Sequence, residues 1–467
     1  MSMKTLKKPR ILIAAPKSGS GKTLISIALM SAFAEAGKKV SAYKCGPDYI
    51  DPLFHKKVLG IPSKNLDLFF ADEALIKSLF FSEKSESGSD ISIIEGVMGL
   101  FDGIGTTDRA SAYHLAAVLA TPIILVVDSK GMGRSVLAEI AGFLAFDKMH
   151  LIKGIILNNM SEPFFRQIKP AIESELDVPV LGYFPLQKEI KIESRYLGLK
   201  LPDEISGIKQ MVSKAATELA KTVDLKRIEQ LAAEAPEIDY VPLEKLLPLP
   251  EMPEPQKRVR IALARDEAFC FYYEDNIKLL ERCGAEIVEF SPLHDNALPP
   301  NVSGLILGGG YPELFAAKLA ANKSMKSSVL KALNAGLPSI AECGGFMYLH
   351  ESLETEDGGL HDMVGAIKGV CRFMNKLVRF GYVSVSAKDG GCFLKKGSTI
   401  RAHEFHYFDS TDNGSSCTAV KPAGAKSWDC VHCGENHWWG FPHLYFLSNP
   451  EFVHNFLAAC ASAGKGE

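Results

Sequence analysis

Two stretches of this chain combine residue types and spacings that can do chemistry. The first is PKSGSGKT, residues 16–23, lying between an apolar strand-like run and a helical one. In that setting Gly19 and Gly21 let the backbone N–H groups of Lys17, Ser18, Gly19, Ser20 and Gly21 turn towards phosphate oxygens. Lys22 then reaches the terminal phosphates of ATP, and Thr23 offers a hydroxyl to Mg²⁺. Pro16 replaces the glycine that opens the strict pattern, so the flanking strand and helix carry the assignment. Lys17 reads either as a phosphate contact or as a solvated surface lysine.

The second stretch is ECGGFMYL, residues 342–349, which follows the apolar run GLPSIA and turns from strand to helix at Cys343. A cysteine is often only a small buried hydrophobe, but a sharp strand-to-helix turn exposes a nucleophile and aims the next N–H, that of Gly344, at a developing oxyanion. A helix N-terminus at this point is expected to lower the thiol pKa. SGLILGGGYPE, residues 303–313, runs a strand into three glycines, and the amides near Gly309 and Gly310 supply further oxyanion donors. WGFPHLYF, residues 439–446, provides His443 as the base that activates Cys343.

A nucleotide-bound Mg²⁺ requires hard oxygen ligands at neighbouring strand ends. SIIEGVMGLFDG places Glu95 at the end of one apolar strand, and KCGPDYIDP places Asp48 and Asp51 in the turn after another, where doubly wound sheets bind ligands. Each carboxylate alone can be a cap; beside a phosphate loop the set reads as a metal and phosphate shell.

These residues need a scaffold, and the pattern of the chain supplies one. From residue 10 to about 222, strand-like runs (RILIAAP, KVSAYKC, ISIIEG, PIILVVD, IKGIILNN, VPVLGYF) alternate with helical ones, ending in DEISGIKQMVSKAATELAKTV. That alternation predicts a doubly wound α/β domain with a parallel sheet over residues 1–222. LKRIEQLAAEAP and the proline-rich YVPLEKLLPLPEMPEPQKR are assigned to a linker, residues 223–257. A second α/β series, VRIALARD, AEIVEFSP, SGLILGGG and LPSIAECGG, opens a domain over residues 258–467 that becomes strand-rich towards its end. No internal repeat is evident.

Composition narrows the function classes. The 467 residues exceed what one core holds, and 47% hydrophobic with 23% charged residues is an ordinary globular balance. Lys plus Arg total 52 against 55 Asp plus Glu, a net charge of −3, so no broad basic field for nucleic acid exists. No run reaches the ~20 apolar residues of a membrane span. The first residues lack the apolar core of a signal peptide, and the 10 cysteines follow no disulfide framework, so a cytoplasmic location is expected. Cys417, Cys430, His432, Cys433 and His437 crowd one segment; the Cys430–Cys433 gap suits a zinc loop, but a second pair is missing, which favours ordinary thiols.

GPDYIDPLFH, NLDLFF, EGVMGLFDG and IESRYLGLKLP resemble the cobyrinic acid a,c-diamide synthase family, whose first domain has a dethiobiotin-synthetase-like ATPase fold. GGGYPE, ECGGFMYL, RAHEFHYF and PHLYF resemble its class I glutamine amidotransferase domain. The resemblance covers nearly the whole chain. It implies that Thr23, Asp48 and Glu95 ligate Mg²⁺ and that Tyr49, Asp51, Glu193 and Arg195 face the substrate, with Arg195 meeting a carboxylate of a tetrapyrrole; Tyr196 stands where the family motif leads one to expect histidine. The implied reactants are ATP, L-glutamine and a corrin or related macrocycle, whose a and c acetates become amides; a homodimer is allowed, with neither nucleic acid nor membrane as partner.

Many class I glutaminases place a glutamate two residues after the catalytic histidine, but here that residue is Tyr445. The group orienting His443 is therefore open; Glu404 is considered for it and reads more readily as a structural carboxylate. Cobyric acid synthase is the nearest enzymatic alternative, and GPDYIDP and ESRYLGL favour the a,c-diamide family over it. KSGSGKT also resembles the loop of partition-type ATPases, which would make the chain a nucleotide-dependent switch, but the tail NPEFVHNFLAACASAGKGE is neither basic nor strongly amphipathic.

Overall fold

The computed structural model describes residues 3–81, 88–187, 194–195, 198–199, 206–247, 258–391, 393–424 and 426–463. The chain divides into two compact units, Met1–Pro248 and Leu249–Glu467.

The first unit is built on a seven-stranded sheet. From one edge to the other its strands are Ser63–Leu66, Val40–Cys45, Ile91–Glu95, Arg10–Ala14, Ile123–Asp128, Ile152–Asn158 and Val180–Phe184. Every pairing is parallel. The runs are β-branched and buried along nearly their whole length because helices cover both faces. Arg10–Ala14 is central, with Ile91–Glu95 on one side and Ile123–Asp128 on the other. The chain therefore winds outward in both directions from the strand that carries residues 16–23. Its carboxyl end is the crevice where such sheets bind ligands.

Helix Lys22–Glu35 starts directly from the loop and is buried over most of its length, against Ile11, Ile13, Ile93 and Ile124 of the sheet and against Ala215 and Leu219 of helix Ile208–Thr222. Ser63–Leu66 has no apolar signature in sequence; Ser63, Lys64 and Asn65 are nevertheless buried, Ser63 bonded to His55 of the neighbouring helix and the Asn65 amide donating to the Gly46 and Asp48 carbonyls.

The assigned linker is corrected by the structure. Helix Leu225–Glu234 buries Ile228, Leu231 and Ala232 in the same core as Ile11 and Leu29. Strand Ile238–Tyr240 pairs antiparallel with Lys4–Leu6. Residues 225–246 are thus part of the first unit, because an amphipathic helix with three buried apolar side chains gains more by packing than by spanning solvent. The prolines that suggested a linker from residue 248 onward lie outside the described residues.

The second unit contains a six-stranded sheet ordered Ala285–Phe290, Val259–Ala264, Gly304–Leu307, Ser339–Glu342, His437–Gly440 and His432–Gly434. The first five strands are parallel and the last is antiparallel. A five-stranded antiparallel sheet follows, ordered Ser427–Cys430, Cys417–Val420, Arg379–Ala387, Thr399–His406 and His443–Leu444. The segment from Gly440 to His443 passes from one sheet to the other.

Candidate active site

In the first unit the phosphate loop is closed by its own lysine. Lys22 Nζ donates to the carbonyls of Lys17, 3.2 Å away, and Met98, 2.5 Å away. Burial and the nearby charge of Lys44 pull the Lys22 ammonium down to about 8, against the opposing pull of Glu95 and Asp51. Ser20 Oγ donates to the Lys17 carbonyl at 3.0 Å, and Lys17, Ser18 and Gly19 are exposed. Gly21 sits at φ +94°, where a Cβ would stand 2.2 Å from the Asn158 amide nitrogen; that amide donates to the Ser20 carbonyl at 2.9 Å.

Beyond the loop lies a buried polar cluster. Thr23 Oγ1 donates to Glu95 Oε1 at 2.6 Å. Lys44 Nζ lies 3.1 Å from Glu95 Oε1 and also contacts Asp51 Oδ2 directly. His55, fully buried, places Nε2 3.2 Å from Glu95 Oε2 and Nδ1 2.9 Å from Ser63 Oγ. Burial opposes the charge on Glu95, but Lys44, His55 and the Thr23 hydroxyl together hold it ionised, well below the ordinary carboxyl range. Burial likewise opposes the Lys44 charge, and Asp51, Glu95 and Asp48 overcome it, keeping the ammonium protonated. Burial and the charges of Asp48 and Glu95 push Asp51 up. Asp48 is half-buried and its Oδ1 accepts the Ile50 N–H at 2.8 Å.

Thr23 and Glu95 meet at the loop and form a hard-oxygen donor pair whose anion stays charged while buried. That donor set fits Mg²⁺. Tyr49 and Asp51 stand in the same turn, with the Asp51 carboxylate turned to Lys44. Arg195 lies in a two-residue strand, Ser194–Arg195, paired antiparallel with Gly198–Leu199. Glu193 and Tyr196 fall outside the described residues.

In the second unit Cys343 occupies the predicted elbow. Its backbone adopts φ 46° and ψ −102°, a conformation costly for a residue with a Cβ, between strand Ser339–Glu342 and helix Gly344–Leu349. The corner is fixed by bonds from Cys343 N to the Gly440 carbonyl at 2.9 Å and from Gly345 N to the Gly308 carbonyl at 2.9 Å. The Gly344 N–H points at the thiol. A Cβ on Gly344 would lie 3.1 Å from Gly310 N, and one on Gly309 would lie 2.3 Å from His443 Cε1. The structure thus gathers Gly309, Gly310, Gly344 and His443 around the corner where Cys343 sits. Any side chain at Gly309 would displace the imidazole.

The expected fall in the thiol pKa is corrected. Burial, then the charge of Glu313, drives the Cys343 thiol above its ordinary value, and the single Gly344 hydrogen bond does not offset this. Helix Gly344–Leu349 has only 6 residues, too short for a strong terminal field. The thiol is therefore protonated at rest and depends on a base. Burial, reinforced by the charge of His406, pulls His443 down to about 3, so the imidazole is neutral and able to accept a proton.

The family comparison assigns each unit to a domain type. Residues 11–198 match the model described as CobQ/CobB/MinD/ParA nucleotide binding domain, and residues 260–450 match CobB/CobQ-like glutamine amidotransferase domain. A protein named cobyrinate a,c-diamide synthase from Caldanaerobacter subterraneus subsp. tengcongensis is 37% identical over 457 residues, covering 97% of this chain and 99% of the relative. The chain belongs to the cobyrinate a,c-diamide synthase family. Namesakes from Clostridium tetani, 38% identical over 96% of this chain and 99% of the relative, and Priestia megaterium, 37% identical over 98% of each, support the same membership. As a member of the cobyrinate a,c-diamide synthase family, the chain is an ATP-using, glutamine-dependent carbon–nitrogen ligase, and the switch alternative is set aside.

Several residues of this cobyrinate a,c-diamide synthase family member escaped the sequence reading. Lys44 is the next-to-last residue of the run VSAYKC, where a lysine in a buried strand was the available signal. His55 stood inside the quoted GPDYIDPLFH without a role, and Asn158 closes the strand IKGIILN. Glu404, considered as the partner of His443, faces His406 instead, with Oε2 3.8 Å from His406 Nε2. Among the described residues no group of three or more His, Cys, Asp or Glu side chains is arranged as a metal site. Cys430 is a buried free thiol and Cys433 is disulfide-bonded.

Proposed function

We propose that this enzyme amidates the a and c acetate carboxylates of cobyrinic acid or a closely related tetrapyrrole, using ATP and glutamine. The observation that supports this reading best is the presence, in one chain, of a phosphate loop beside an ionised hard-oxygen cluster and a thiol elbow beside a neutral histidine. Activation of a carboxylate and generation of ammonia are the two halves of amidation. Relatives that span the whole chain and bear the name cobyrinate a,c-diamide synthase supply the substrate class.

In the first unit the substrate carboxylate attacks the γ-phosphate of ATP and forms an acyl phosphate, while Lys22 leaves its loop carbonyls for the phosphate oxygens. Lys17, Ser18, Gly19, Ser20 and Gly21 cradle the phosphates through their backbone. Mg²⁺, held by Thr23, Glu95 and Asp48, would neutralise charge on the β and γ oxygens. Lys44 keeps the crowded carboxylates in place. Tyr49, Asp51, Glu193 and Arg195 are assigned to the macrocycle side of this site on the family motif.

In the second unit His443 takes the Cys343 proton, and the sulfur attacks the carboxamide carbon of glutamine. The tetrahedral oxyanion is met by the N–H groups of Gly309, Gly310 and Gly344. The C–N bond breaks as ammonia leaves with the proton from His443, and water then hydrolyses the glutamyl thioester. Ammonia displaces phosphate from the acyl phosphate and gives the amide. We place the enzyme in the cytoplasm, a reading supported by the free thiols of Cys45, Cys283, Cys371, Cys417 and Cys460, with Cys433 the exception; among the described residues no helix is long and apolar enough to cross a membrane. A homodimer is the assembly to test by light scattering.

The deciding experiment compares wild type with Cys343→Ala on cobyrinic acid and related macrocycles. The variant should lose glutamine-supported amidation by about 10³-fold or more and keep amidation supported by ammonium salt. Full glutamine-dependent activity in the variant would remove the nucleophile assignment; ATP turnover independent of every tetrapyrrole would remove the substrate.

A further inference from the structure

His443 lacks the carboxylate that its own strand would be expected to supply. Tyr445 occupies the position two residues on and donates its hydroxyl to Asp275 Oδ2 at 3.1 Å. Glu404 is turned to His406. Glu342, the residue immediately before the nucleophile, approaches His443 from the other sheet. Its Oε2 lies 4.0 Å from His443 Nδ1, and its Oε1 accepts the backbone N–H of Leu444 at 3.1 Å. Glu342 is 7% exposed and His443 3%. One carboxyl group therefore grips the strand His443–Leu444 by its backbone and faces the imidazole at the same time.

We infer that Glu342 is the positioning residue of this glutaminase, replacing the carboxylate usually found two residues beyond the histidine. The inference rests on the Cys343–His443 assignment proposed above. An ionised Glu342 accepts Nδ1–H and leaves the Nε2 lone pair for the Cys343 proton. The proton then passes from sulfur to Nε2, the S–C bond forms, and ammonia departs with that proton as the C–N bond breaks. Nδ1–H stays on Glu342 throughout. A gap of 4.0 Å is longer than a hydrogen bond, and such contacts tighten when substrate enters. The neutral carboxyl would instead donate to Nδ1 and fix the wrong tautomer.

Burial holds the Glu342 carboxyl up at about 8, so the productive form grows as pH rises towards and past that value. Other titratable groups face the same space. His403 is the cross-strand partner of His443, His406 acts on it from the same strand, Glu404 and Glu313 act on Cys343, and Tyr272 faces Glu342. The alkaline limb must accordingly be assigned by substitution.

Glutamine hydrolysis by the full chain, measured from pH 6 to 9.5, provides the test. Glu342→Gln should lower kcat by about 10²-fold, leave the KM for glutamine within about 2-fold, and abolish the rise near pH 8, whereas Glu342→Asp should restore part of kcat and of the rise. Unchanged kcat and pH profile in a folded Glu342→Gln chain overturns the inference. Should that variant not fold, ¹⁵N-histidine spectra of the wild type decide: the His443 signal, assigned with His443→Asn, should show the Nδ1–H tautomer at pH 9, and an Nε2–H tautomer there overturns the inference. An active Cys343→Ala chain defeats the underlying reading, whereas an inactive Cys343→Ala beside an intact Glu342→Gln defeats this inference alone.

Discussion

Lys44 carries the electrostatics of the ATP site, since it alone contacts both Asp51 and Glu95 among the ion pairs described above. Replacing it by Met leaves those carboxylates buried without their cation. Lys44→Met should reduce ammonium-supported amidation by about 10²-fold or more and destabilise the chain by roughly 3–5 kcal/mol. Initial rates with ammonium chloride and denaturant midpoints measure the two effects; a fully active variant would reduce Lys44 to a packing role. What the sequence disclosed at this scale was residue type at a local bend: Cys343, His443, Thr23 and Glu95 each announce themselves within a few residues. Glu342 and Lys44 do not. Their roles depend on a neighbour brought up by another strand, and one-dimensional spacing carries no trace of such pairings.

Elements were legible where burial imposes an apolar run, as in ISIIE and IILVVD. Ser63–Leu66 was not, because its buried polar side chains erase the signal. The boundary at residue 222 failed for a related reason: prolines marked a real break, but the short helix before them packs inward. Arg10 ties this region together. Its buried guanidinium donates to the carbonyls of Lys8, Leu119, Ala120 and Pro236 at 2.9, 2.8, 3.3 and 2.8 Å. Burial lowers it to about 10, which leaves it charged at neutral pH. Arg10→Met abandons these carbonyls and should cost roughly 2–4 kcal/mol. Urea unfolding followed by circular dichroism should show the lower midpoint, together with faster proteolysis around residues 225–240. Unchanged cleavage there would mean that Arg10 does not anchor the segment.

For the whole molecule, the length pointed to more than one core and the alternation of strand-like and helical runs to an α/β fold, and the chain divides into two compact α/β units. Composition could not indicate how acid-sensitive the second unit is. Burial pulls His403 and His443 down to about 3 and His350 to about 4, so each is neutral when folded at pH 5. The unfolded chain protonates them near 6.5. These groups bind fewer protons folded than unfolded between those values, so stability rises with pH across that window and falls as pH drops through it. Each histidine contributes a slope of up to about 1.4 kcal/mol per pH unit. Urea midpoints should fall steeply from pH 6.5 to pH 4.5, and His350→Gln should flatten the slope by about one proton. A midpoint independent of pH over that range would contradict the buried neutral state.

The raised pKa of the Cys343 thiol also affects how the enzyme survives between turnovers. Peroxides and alkylating agents attack thiolates and largely spare thiols. A nucleophile that is deprotonated only when His443 and substrate act together is shielded from indiscriminate oxidation while the site is empty. Its reactivity should be reserved for glutamine, and the irreversible sulfinic and sulfonic acids that end the life of many active-site cysteines should form slowly here.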